Sequence, residues 1–119
     1  MVAKAIVDSA LSVHRTPGPG LLEAVFEACL CQEFRERGLA FMTQCSLPLT
    51  YHGVRLNVGL RCDLIVENRV MVELKSVDKM VPIFEAQVLT YLKLTGLRLG
   101  LLINSNVPMI KLGIKRLFL

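Results

Sequence analysis

Between Val54 and Glu67 the chain alternates. Val54, Leu56, Val58, Leu60, Cys62, Leu64 and Val66 fall on one side, and Arg55, Asn57, Gly59, Arg61, Asp63, Ile65 and Glu67 on the other. A period of two is what an extended strand needs to present one apolar and one mostly polar face. Glu67-Asn68-Arg69 interrupts the run, and a second extended stretch follows from Val70 to Ser76. There Val70, Val72 and Leu74 share one side, and Met71, Glu73 and Lys75 the other. The chain must therefore build a sheet around this pair of runs, with a layer to cover its apolar side.

The turn decides where the acids go. If Val66 pairs with Val70 across a three-residue loop, Asp63 lies opposite Glu73 on a shared face. Asn68 would then take the left-handed conformation, which it tolerates better than most residues. A two-residue loop, Asn68-Arg69, would put the two acids on opposite faces. The expected solution is the three-residue loop, or a bulge that restores the same parity.

The flanking segments read as helices and further strands. Residues 3–15 repeat apolar positions at helical spacing and stop at Thr16-Pro17-Gly18-Pro19-Gly20, a rigid turn. A second helix is expected from Leu21 to Arg37 with Gly38 at its end, and an apolar stripe of Leu22, Val25, Phe26, Cys29 and Leu30. Glu23 lies near the edge of that stripe, about 90° from its centre, and Glu27 reads as solvated. Residues 41–51 read as one strand turning at His52-Gly53. Pro82 begins a third helix that ends at Thr95 before Gly96. Leu97 to Asn104 is an apolar run expected of a strand covered on both faces, and residues 109–118 form a last strand or short helix. The resulting fold class is α/β, a three-layer arrangement of a mixed β-sheet flanked by helices.

Composition narrows the setting. With 119 residues, 53% of them apolar, the chain is expected to form a single domain, residues 1–119, and is too apolar for a disordered segment. Charges interrupt every apolar stretch before the ~18 residues of a membrane span, and Asp8 falls inside what would be a signal core. A cytoplasmic protein with no membrane association is the expectation. The net charge of +4 is unevenly placed: Lys93, Arg98, Lys111, Lys115 and Arg116 stand in a last third with no acid. Such a segment can face phosphates or merely keep an apolar protein soluble. Cys29, Cys31, Cys45 and Cys62 form no C-x-x-C pair, so reduced thiols are expected rather than a zinc site.

Asp63 with Glu73-Leu74-Lys75 is the constellation that carries chemistry. Two carboxylates on neighbouring strands, with the Leu74 backbone carbonyl as a third oxygen, can hold a hard cation such as Mg²⁺ (or Mn²⁺) that retains several waters. A lysine one step further can position the attacking water and offset charge developing on a phosphate. This is a recipe for phosphodiester hydrolysis. The spacing alone is weak, because an exposed hairpin with an ordinary Glu/Lys pair produces it equally well.

Further motifs sharpen it. Gly20-Leu21-Leu22-Glu23-Ala24-Val25-Phe26 resembles the signature of the bacterial and archaeal GxxExxY protein family of the PD-(D/E)xK nuclease-like superfamily. The resemblance continues through Tyr51-His52-Gly53-Val54, Arg61-Cys62-Asp63-Leu64, Val72-Glu73-Leu74-Lys75, Glu85 to Leu92, Thr95-Gly96, Leu101 to Asn104 and Ile114-Lys115-Arg116. It implies a restriction-endonuclease-like core in which Asp63 and Glu73 hold the metal and Lys75 is the catalytic lysine. Glu23 matches an accessory acid of the superfamily, and Gln87 and Tyr91 match a Q-x-x-x-Y element that contacts substrate or braces the site. Packing alone explains Tyr91 equally well. Phe26 replaces the family's Tyr, and Phe84 stands where many relatives carry His.

The function this implies is a metal-dependent nuclease acting on DNA or RNA, with DNA the first expectation. The alternative is a catalytically silent nucleic-acid-binding or assembly protein that retains the fold. The small size favours the alternative somewhat, since no extra segment is evident to clamp a duplex. The third helix is apolar on most sides, through Ile83, Phe84, Ala86, Val88, Leu89, Leu92 and Leu94. Cover for it from a second copy, a homodimer, is expected.

Overall fold

A computed structural model describes residues 1–119. The Pro-Gly turn separates two helices, α1 (Val2–Arg15) and α2 (Glu23–Glu36). Seven strands follow: β1 (Phe41–Ser46), β2 (Leu49–Tyr51), β3 (Val54–Leu56), β4 (Arg61–Val66), β5 (Val70–Lys75), β6 (Leu99–Asn104) and β7 (Ile114–Phe118). Helix α3 (Pro82–Thr95) joins β5 to β6, and a 3₁₀ turn, Ile110–Gly113, leads into β7. Pro82 sits in the first turn of α3, and Gly96 ends it in the left-handed conformation, φ +76°.

The main sheet has the order β1-β4-β5-β6-β7. β5 and β6 are parallel and the other neighbours antiparallel, so the sheet is mixed, as the α-helical connection between β5 and β6 requires. α1 and α2 cover one face through Ile6, Phe26, Leu30 and Phe34, packed on Leu64, Val72, Leu74, Leu101 and Ile103. α3 covers the other, where Val88, Tyr91 and Leu92 meet Cys62, Met71, Leu102 and Leu117. The three-layer α/β architecture is therefore as the sequence predicts.

The β4–β5 register pairs Val66 with Val70 and Leu64 with Val72, the alternative that brings Asp63 to Glu73. Both Glu67 and Asn68 are left-handed, with φ +53° and +54°, and the Arg69 N–H donates to the Val66 carbonyl. The turn is thus a tight one with Arg69 as the extra residue, a bulge that restores parity.

Three expectations change. The long alternating run is not one strand: β3 pairs with β2 in a separate two-stranded sheet, and Asn57–Leu60 carries the chain from there to β4. Gly59 takes φ +73° in that connection. The predicted strand 41–51 is likewise split, at Leu47-Pro48, where proline supplies no ladder donor. In α2 the buried residues are Phe26, Leu30, Cys31 and Phe34, while Leu22 and Val25 are exposed. The true stripe runs i, i+4, i+8 from Phe26 toward the C-terminus, with Cys31 beside it. In α3, Val88 and Leu92 are fully covered by the sheet, which leaves Ile83 and Ala86 as its open apolar positions.

β7 reaches the sheet through a close approach at Gly113, where a Cβ would overlap the Asn104 carbonyl. Asn104 is itself buried and bonded to Val77 and Asn106, so it has no room to withdraw. Gly113→Ala is expected to destabilise the fold by about 3 kcal/mol. Thermal denaturation followed by circular dichroism should then show a midpoint lower by about 10 °C.

Candidate functional site

Past Leu64 and Val72 the ladder between β4 and β5 stops, and side chains take over its hydrogen bonds. The Asp63 N–H donates to Glu73 Oε1 at 2.8 Å. The Leu74 N–H donates to Asp63 Oδ2, also at 2.8 Å. Each carboxylate thus accepts from the backbone of the opposite strand, and the two together fill the gap left in the ladder. In an extended strand the N–H and C=O of a residue point the same way, so the Leu74 carbonyl also faces β4 and this gap.

The chain is distorted where the gap opens. Gln44 of β1 lies opposite Asp63, between the pairs Thr43–Leu64 and Cys45–Cys62, and is left-handed at φ +48°. Cys62 and Leu64, two residues apart, pack on opposite faces of the sheet. The alternation therefore slips at Asp63. Gln44 Nε2 donates to Glu27 Oε1 at 3.0 Å and to Asp63 Oδ1 at 3.4 Å, tying α2, β1 and β4 together.

Four acids gather near this point. Burial, and then the negative charge of Asp63, raise the carboxyls of both Glu23 and Glu27 above their ordinary range. Lys75 acts in the opposite sense on Glu23. Glu23 is brought here by the Pro-Gly turn: the Ser76 hydroxyl, next to Lys75, donates to the Leu21 carbonyl at 2.6 Å. Glu27, which reads as solvated in the sequence, is half-buried and bonded to Gln44. Neither Glu27 nor Gln44 stands out by motif. Only the i, i+4 spacing of Glu23 and Glu27 marks the same helical face.

On the α3 side, Lys75 shares the face of Glu73, and its Nζ lies over the Phe84 ring, 4.5 Å from the centroid. This is a cation–π distance. Gln87 Nε2 donates to the Tyr91 hydroxyl at 2.9 Å, so these two residues do form a pair on one face of α3. Lys75, Phe84, Gln87 and Tyr91, with Leu60 and Ile83, line an open cleft of about 470 Å³. Phe26 lies elsewhere, fully buried among α1, α2 and the sheet. No buried side-chain polar atom lacks a partner, so the hydroxyl absent from this position orphans nothing.

The donors suit some cations and not others. No group of three or more His, Cys, Asp or Glu side chains is placed so that it could hold a metal ion. What the gap offers is hard oxygen: Glu73 with one oxygen beyond its backbone bond at 2.8 Å, Asp63 with an Oδ1 that takes only the long 3.4 Å bond from Gln44, and the Leu74 carbonyl. That set fits a cation that keeps most of its waters, as Mg²⁺ does, and not one that demands four protein ligands.

A family model described as the PD-(D/E)XK nuclease superfamily matches residues 1–117. The chain belongs to this superfamily. Comparison with curated proteins and with solved structures finds no match. The sequence Glu73-Leu74-Lys75 has the letters of the (D/E)XK in the superfamily's name.

Glu73 is the most perturbed acid of this nuclease-superfamily site. Burial first, and the Asp63 charge second, push its carboxyl from 4.5 up to about 7. A folded-state value above the unfolded one means that the folded protein holds this proton more tightly. The stabilisation is complete below about pH 4.5 and is lost as the pH rises through about 7. Glu73→Gln keeps an acceptor for the Asp63 N–H but cannot ionise. In chelator-treated protein, urea unfolding from pH 4.5 to 8 should show wild type losing up to about 3 kcal/mol relative to Glu73→Gln. A difference that is constant across this range would refute the raised value.

Proposed function

We propose that the chain is a divalent-metal-dependent nuclease that hydrolyses phosphodiester bonds of DNA or RNA in the cytoplasm. The observation that carries this reading is the gap between β4 and β5. Two carboxylates enter it from adjacent strands, and a lysine follows on the same face as Glu73, in a chain of the nuclease superfamily. The pattern of residues 20–26 supports reading it as a GxxExxY protein.

Asp63, Glu73 and the Leu74 carbonyl are the groups that would hold Mg²⁺ or Mn²⁺. Such a cation supplies charge stabilisation at the phosphate and makes water easier to ionise. Lys75, braced on Phe84, positions the attacking water and faces the charge that grows on the phosphate's non-bridging oxygens. Glu23 lies on the opposite flank, close enough to feel both Asp63 and Lys75, where it orients the water from the α2 side. Gln87 and Tyr91 form the wall of the cleft against which the substrate backbone rests. As the water oxygen bonds to phosphorus and releases its proton to solvent, the bond to the leaving oxygen breaks and that oxygen is protonated from solvent.

Wild type is expected to cut plasmid or single-stranded DNA with Mg²⁺ or Mn²⁺, while Lys75→Ala lowers the rate at least about 100-fold. Added Mg²⁺ should raise the melting midpoint of wild type and not that of a Glu73→Gln, Asp63→Asn variant. Cleavage that survives Lys75→Ala sinks the assignment. Metal binding and DNA binding without any cleavage would instead favour a catalytically silent binding protein on this fold.

A further inference from the structure

β2 and β3 do not belong to the main sheet. Every residue from Thr50 to Gly59 is exposed. An isolated two-stranded ribbon is marginally stable in water, yet this one also leaves apolar side chains open: Tyr51 is 61%, Val54 57% and Val58 54% exposed. A surface of this kind is one that a partner covers.

Charge identifies the partner. No acid occurs between Glu36 and Asp63, while Arg55, Arg61 and His52 all fall in or beside the ribbon. None of the three ion pairs of the protein involves these residues. At the tip the Tyr51 and His52 rings stack, with centroids 4.1 Å apart and planes 15° from parallel. The ribbon is also continuous with the cleft. Leu60, on its return path, lines the cleft beside Lys75, and Arg61 lies two residues before Asp63. Arg55 borders a hollow of about 430 Å³ with Ser46, Pro48 and Asn57.

We propose that the β2–β3 arm is a nucleic-acid-binding element. Arg55 and Arg61 hold the phosphates of a strand entering the cleft, and the Tyr51–His52 plane receives an unpaired base. Unpaired cations and an exposed aromatic face are the two features that single-strand binding requires. The inference rests on the nuclease reading for the direction of the strand, but its test does not need cleavage.

The test is anisotropy of a labelled single-stranded oligonucleotide, its duplex and the matching RNA. It uses the full chain carrying Lys75→Ala, with Mg²⁺, so that bound nucleic acid stays intact. Adding Arg55→Gln and Arg61→Gln should weaken binding of all three about tenfold or more and reduce the salt dependence by about two phosphate contacts. Adding Tyr51→Ala should weaken the single strands about tenfold and leave the duplex within about twofold. Unchanged circular dichroism melts verify folding. Binding unchanged by the arm substitutions overturns the proposal even if wild type cleaves DNA. Arm-dependent binding in a wild type that cleaves nothing supports the arm and removes the nuclease reading instead. A fall in mass from dimer to monomer on substitution, with nucleic-acid binding unaltered, assigns the arm to a second copy and also overturns the proposal.

Discussion

Everything at the candidate site depends on the exchange of hydrogen bonds where β4 leaves β5. Two strands that part company expose N–H groups that must find acceptors, since a buried unpaired donor costs about 1–3 kcal/mol. Here the acceptors are Asp63 and Glu73. The two acids thereby hold open the wedge in which they sit. They are structural and chemical at once, because the same contacts that satisfy the backbone fix where the remaining carboxylate oxygens lie. The energetic counterweight is the burial of Glu73 beside another acid, which raises its proton affinity.

Around that wedge the fold supplies one wall from each layer. α2 contributes Glu23 and Glu27, held by the Ser76–Leu21 bond and by Gln44. α3 contributes Phe84, Gln87 and Tyr91. The sheet contributes Lys75. None of these side chains is close to another in the sequence except within a helix or strand. The site exists only when three layers assemble, and the register of the β4–β5 turn is the step that aligns them.

Much of this was legible in the sequence, and the failures share a cause. The helix limits, the apolar β6 and the Glu67–Arg69 turn followed from local rules: capping, runs of buried residues, and the tolerance of Asn68 for positive φ. The D…ExK constellation followed from parity. Parity misled across Val54–Val66, because periodicity reports exposure and not pairing. Val54 and Leu56 keep the alternation of a strand while lying in a ribbon that covers nothing. Leu22 and Val25 of α2 fit a helical stripe, yet both stay exposed, because the face that packs is set by Phe26, Leu30 and Phe34. Glu27 and Gln44 could not be found because their importance arises from Gln44 turning left-handed opposite Asp63, a tertiary event with no local signal. The acid-free stretch before Asp63 is plain in the sequence, but it gains meaning only once the ribbon is seen to stand clear of the body.

The imbalance of charge in the wedge has one more consequence. Asp63, Glu73, Glu23 and Glu27 face a single lysine, and that lysine is braced by an aromatic ring and not by a carboxylate. A polyanion approaching from the cleft meets net repulsion there. Two unpaired cations, Arg55 and Arg61, stand outside the wedge, in and beside the ribbon. On the proposed function, a cation held by the acids would lift this repulsion, so that metal and phosphate binding at the wedge would be coupled.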